Sequence, residues 1–231
     1  MRAPLLVGLA LFGLAACQSQ PTRPLSAENY EVEAADPAKV RQIKNDAVRT
    51  LLDQGQYYAA LAHIEEQKQG QPDSPDLIYL EAEARRHLRQ LQQSEALYQR
   101  LMGGPLEGKA WHGLGLLTAR SDLEAAIRSL RNASAKLPTD VEIRNDLGYA
   151  LMEAGRYTEA LPELSTAAEL APSQLKSRNN LIILMLLTGN QAGAEQMAKQ
   201  SGATPETVKQ LRSQAQSIRS QQASRGARSP T

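Results

Sequence analysis

The residues that could do chemistry are few. Three histidines, His63, His87 and His112, would be the natural metal ligands or proton carriers. None belongs to an HExxH pair, and none has a cysteine at ligand spacing, because the only cysteine is Cys17. No metal centre is expected from them. Ser173-Gln174-Leu175-Lys176 spells S-x-x-K, the opening of a serine-acylase motif, but the companion S-D-N and K-T-G elements are missing. G-x-S-x-G, Walker and dinucleotide fingerprints are absent too. Asn132-Ala133-Ser134 fits a glycosylation sequon and adds no chemistry. The sequence therefore points away from an enzyme and from any cofactor.

Binding chemistry is better represented. Asn45, Tyr79, His112, Asn145 and Asn179 follow one another at intervals of 34, 33, 33 and 34 residues. Arg49, Arg86, Lys109, Tyr149 and Lys176 stand near them. A carboxamide both donates to and accepts from a peptide backbone, and tyrosine offers flat contact area at low entropic cost. Such a row could hold an extended protein segment if the chain folds so that one period stacks on the next.

The elements that would place the row are legible around Asn145–Pro172, read as two short helices joined at Ala154-Gly155-Arg156. Leu147, Leu151, Leu164 and Ala167 supply an apolar stripe. Gly148 permits close approach where Ala160 is also small, and Pro172 ends the second helix. The unit recurs. Leu181, Gly189, Ala194 and Ala198 follow one period later. Trp111, Leu114-Gly115, Ala126, Leu130, Ala133 and Pro138 precede it, with one residue fewer in the turn. Gly55, Tyr57, Ala60 and Pro72 form the first copy, and Ala82, Ser94, Tyr98 and Leu101 mark a degenerate second. This resembles the tetratricopeptide repeat (TPR), whose period is ~34 residues. The fold expected is an all-α solenoid of about five helix-turn-helix repeats, with the first helix of each pair lining the inner face. The expected boundaries are 41–74, 75–106, 107–140, 141–174 and 175–202, the whole spanning 41–202.

Residues 1–16 carry one positive charge and then an apolar run too short to span a bilayer, as in a secretory signal peptide. Leu14-Ala15-Ala16-Cys17 resembles a bacterial lipobox, so Cys17 is expected to be lipidated and to become the mature N-terminus. Each buried acyl CH₂ contributes about 0.8 kcal/mol, so several chains anchor firmly. Gln18 stands where an aspartate would favour retention at the inner membrane, which points to the outer membrane of a Gram-negative cell, facing the periplasm. The remainder of 17–40 is rich in Gln, Ser, Thr and Pro and reads as a flexible tether. It would reach ~25 Å as a coil and at most ~70 Å extended.

After the repeats, Thr204-Pro205-Glu206 caps a last helix, with Val208, Leu211, Ala215 and Ile218 on one stripe. It is expected to close the solenoid over 203–221, followed by a disordered basic tail at 222–231. Hydrophobic residues make up 42% of the chain and aromatics 4%, with Phe12 the single phenylalanine, which suits thin helix-on-helix packing. A net charge of +1 supplies no long-range attraction to nucleic acid.

The order of parts and the phrases Asn145-Asp146-Leu147-Gly148-Tyr149-Ala150-Leu151 and Asn179-Asn180-Leu181 resemble the TadD-like TPR lipoproteins of tight-adherence (Flp) pilus assembly. The resemblance implies an outer-membrane scaffold whose client is a secretin or another pilus assembly component. The alternative is an adaptor for another envelope system, such as a type IV pilus pilotin, an outer-membrane protein assembly factor or a peptidoglycan-enzyme adaptor. The inner-face residues expected to meet the client are Asn45, Tyr79, Arg86, His112, Asn145, Tyr149 and Asn179.

Overall fold

A computed structural model describes residues 36–70 and 74–227. The signal peptide, Cys17, most of the tether and residues 228–231 of the basic tail lie outside the described residues. Within them the chain is helical throughout, in eleven helices. They pair as α1 (Pro37–Asp53) with α2 (Tyr57–Gly70), α3 (Pro75–His87) with α4 (Leu91–Gln99), and α5 (Glu107–Thr118) with α6 (Leu123–Lys136). Next come α7 (Val141–Glu153) with α8 (Tyr157–Leu170), α9 (Leu175–Leu187) with α10 (Gln191–Gln200), and a single long α11 (Pro205–Gly226). Each pair packs on the next through its second helix, as α2 on α3 and α8 on α9, so contacts run between neighbours along a solenoid.

Turn chemistry sets the helix starts. The side chains of Ser74, Asp122, Asp140, Asn190 and Thr204 each accept a hydrogen bond from the backbone N–H three residues on, at 2.9 to 3.2 Å. Gly55, Gly155 and Gly189 turn the first, fourth and fifth pairs with φ between 73 and 82°, a region that favours glycine. The third pair manages without such a residue, Asp122 capping α6 directly after its shorter turn.

Inside each pair the helices cross at one position, and the residues that fill it differ between pairs. Val48 faces the Ile64 side of the first pair, and both are fully buried. Ala82 and Tyr98 share the second. Gly115 meets Leu130 and Gly148 meets Leu164, so close that a Cβ on Gly148 would lie 2.6 Å from the Leu164 side chain. In the fifth pair the sizes reverse, with Ile182 on α9 and the small Ala198 on α10. In every pair but the first, a glycine or alanine on one helix thus makes room for a large side chain on its mate.

Two expected boundaries shift. Helix α1 begins at Pro37, within the segment read as tether, because proline is well tolerated in a first helical turn. Helix α11 runs on to Gly226, past the limit at Gln221. Its last turns are held by the protein: Gln222 Nε2 donates to Met152 O at 2.8 Å, and Arg225 donates to Glu153 O at 3.2 Å.

Candidate partner-binding face

The residues expected in the inner row come from the first helix of each pair, and the structure divides them. Tyr79 on α3 is half-buried, with its ring tilted against Tyr98 at 6.4 Å between centroids. The Lys109 ammonium sits 5.5 Å above it, a cation–π contact across the seam between α3 and α5. Burial, reinforced by the Glu83 charge, pushes the Tyr79 phenol well above its usual range, so it stays protonated. Arg86 donates to Glu83 at 2.6 Å, and Glu83 also accepts from the Tyr98 hydroxyl. Burial alone would raise the Glu83 carboxyl, but Arg86 and Tyr98 outweigh it and hold it below the ordinary value.

The row continues through His112. Its Nε2 lies 2.9 Å from Asp146 Oδ2 on the next repeat. Asp146 accepts in turn from Lys176 at 3.0 Å, and Lys176 also reaches Glu142 at 2.7 Å. Burial would push the Asp146 carboxyl up, but the His112 hydrogen bond and the Lys176 charge hold it low. Tyr79, Arg86 and His112 therefore stand in one polar band across the second to fifth repeats, joined by groups from neighbouring helices. Asn179 is half-buried on α9, one helical turn after Lys176.

Asn45, Asn145 and Tyr149 depart from the expectation of an open row. Asn145 is 1% exposed, and its Oδ1 accepts from Asn180 Nδ2 at 2.9 Å inside the α7–α9 seam. Asn45 is likewise buried, at 5% exposure. At these two positions the helix rotation points the carboxamide between helices rather than toward a groove. Tyr149 packs on the core of the last repeats, where burial pushes its phenol above the usual range, with Gln214 and Glu153 near its hydroxyl. Helix α11 supplies Gln214, so the closing helix covers the inner face there.

Asn145→Ala is expected to strand the Asn180 amide in that seam and cost about 1–3 kcal/mol. Asn145→Ala with Asn180→Ala should cost less than the sum of the single changes, read by urea unfolding with helical circular dichroism. Additive losses would show that the 2.9 Å bond contributes nothing.

Sequence reasoning passed over Glu83, Asp146 and Asn180. A usable signal was present, since His112 and Asp146, and likewise Glu142 and Lys176, are opposite or complementary groups 34 residues apart. A separation of one period places two such groups across a seam.

Among the described residues there is no group of three or more His, Cys, Asp or Glu side chains able to hold a metal ion. None of their helices is long and apolar enough to cross a membrane.

Comparison with known proteins agrees with this geometry. A family model for the tetratricopeptide repeat matches residues 117–176. The TPR repeat-containing protein PA4299 of Pseudomonas aeruginosa is 30% identical over 200 residues, spanning 85% of this chain and 78% of that protein. The chain belongs to the tetratricopeptide-repeat proteins. Among solved structures, pilF of Pseudomonas aeruginosa superposes with a TM-score of 0.64 at 16% identity, covering 82% of this TPR chain and 90% of that one. TTC0263, a thermophilic TPR protein of Thermus thermophilus, gives 0.60 at 19% identity, with 77% and 97% covered. MamA of Desulfovibrio magneticus RS-1 gives 0.55 at 17%, with 69% and 92% covered. At these identities the likenesses show the shared TPR fold. A TPR stack of this kind is a protein–protein interaction scaffold.

Proposed function

We propose that this chain is an outer-membrane-anchored periplasmic scaffold in assembly of the tight-adherence (Flp) pilus secretion machinery. A lipid on Cys17 holds it at the membrane, and the tether sets how far the solenoid stands off. The inner face then grips a segment of a protein client, a secretin or another pilus assembly component. The observation that carries this reading is the joining of a lipobox-like Cys17 to five stacked TPR units with a polar band on their inner side. The band offers hydrogen bonds and ion-pair partners but no nucleophile–base pair, so the mechanism is one of holding and orienting. Asn45 and Asn145 are buried and Tyr149 packs on the core, so Tyr79, Arg86, His112 and Asn179 are the inner-face residues left to meet a client, Arg86 and His112 together with their partners Glu83 and Asp146.

Deletion of the coding sequence is expected to abolish surface Flp pili and detergent-resistant secretin multimers, both restored by the wild-type gene. Cys17→Ala should move the protein from the membrane to the soluble periplasmic fraction and fail to complement. Normal pili in the deletion strain would refute the assembly role.

A further inference from the structure

The turn of the second repeat is built differently from its counterparts. Where Gly55, Gly155 and Gly189 take positive φ, this turn holds Arg89 at φ 61°. A side chain in that region carries a steric cost that glycine avoids. The arginine gains no internal bond in exchange: neither Arg89 nor Arg120 has a side-chain hydrogen bond or ion pair among the described residues. Both line one concavity of about 270 Å³ at the turn edge of the second and third pairs, together with Arg86 and His87.

The charges there do not cancel. Glu83 is already engaged by Arg86 and by Tyr98. Arg86 Nε is buried with no partner. The His87 ring stacks on Tyr57 at 4.5 Å, and its Nε2 lies 3.0 Å from Arg86 Nη2, where it accepts and stays neutral. Burial, with the neighbouring Arg86 and Arg89 charges outweighing Glu83, holds the His87 imidazole below its ordinary value. Leu116 and Leu117 close the other side of the concavity.

We propose that this concavity seats the carboxylates of an acidic segment of a protein partner, with Arg89 and Arg120 as the gripping groups. The inference rests on the reading that the chain holds a protein client. A guanidinium matches a carboxylate with two parallel N–H donors. The leucine wall suits the aliphatic stem of a glutamate or an adjacent apolar side chain. The small volume fits one or two side chains of an extended segment, and Arg86 ties the seat to the polar band.

The test is fluorescence anisotropy with the full-length protein in detergent micelles and a fluorescein-labelled peptide of alternating glutamate and leucine. Arg89→Gly and Arg120→Ser should each weaken binding about 5-fold or more, and the double variant about 30-fold, with wild-type affinity falling as salt rises. Arg89→Gly should keep or raise the melting temperature, since glycine suits the backbone there, so its binding loss cannot be ascribed to misfolding. Unchanged affinity in Arg89→Gly would overturn the proposal. So would equal binding of an alternating lysine–leucine peptide, or loss of binding on these substitutions only for phosphatidylglycerol vesicles or inorganic phosphate. Intact pilus assembly in a deletion strain would sink the assembly role, whereas unaffected peptide binding in the arginine variants removes the seat alone.

Discussion

Gly113→Ala should collapse the seam between the second and third repeats. Tyr98 of α4 is fully buried, and a Cβ at Gly113 of α5 would lie 2.1 Å from its ring carbon Cζ. The ring has little freedom to yield. Its hydroxyl is tied to Glu83, Tyr79 packs beside it, and Ala82 and Leu101 share its cluster. Overfilling a packed site typically costs about 1–3 kcal/mol, and an immobile aromatic puts this case at the upper end, about 3 kcal/mol. Urea unfolding followed by helical circular dichroism would show it as a lowered midpoint. Gly226→Ala is the control, because nothing lies within 4 Å of a Cβ there. Tyr98→Leu combined with Gly113→Ala should recover part of the loss, since leucine already fills the matching position as Leu130 and Leu164. Equal midpoints for Gly113→Ala and Gly226→Ala would refute this packing account.

Ending the chain after Ser217 should loosen the last two repeats and leave the first three intact. The truncation removes Ile218, which is 2% exposed in the core cluster of repeats four and five. It also removes Arg219, which donates to Leu186 O at 2.9 Å and Leu187 O at 3.2 Å, and so caps α9. Gln222 goes too, with its bonds to Met152 O and to the Tyr157 hydroxyl, which donates to it at 2.7 Å. Loss of one buried isoleucine alone costs about 2–5 kcal/mol. In a solenoid stability is carried by nearest neighbours, so the damage should stay local. Hydrogen exchange should show faster amides in α9 and α10 and unchanged protection in α3 and α4. Uniform loss along the chain would mean that the stack unfolds as one unit.

The period was legible because most helix pairs place a small residue at their crossing and a turn former at their bend. Gly148 with Leu164, Gly115 with Leu130 and the turn glycines announce that geometry in their spacing alone. Which way a given side chain points within the pair was not legible. Asn45, Tyr79, His112, Asn145 and Asn179 share one register, yet Asn145 turns into the seam toward Asn180 while His112 reaches across to Asp146. Their fate is set by partners one period away, which a single repeat does not contain. The reach of α11 escaped for a similar reason. Ser220 to Gly226 has few apolar residues and reads as solvated tail, but Gln222 and Arg225 are held by carbonyls at the end of α7, far upstream in the chain. The Arg89 turn shows the opposite case, in which departure from the repeat pattern is itself the signal.

The most direct test of the scaffold reading is capture of the client. Lipidated protein would be isolated from detergent-solubilised membranes of the native cell, and the proteins held with it identified by mass spectrometry. The account predicts recovery of a secretin or another tight-adherence pilus component, reduced when the solenoid carries Gly113→Ala. Recovery of outer-membrane barrel assembly proteins or murein enzymes, with no pilus component, would contradict it and assign the TPR scaffold to another envelope system.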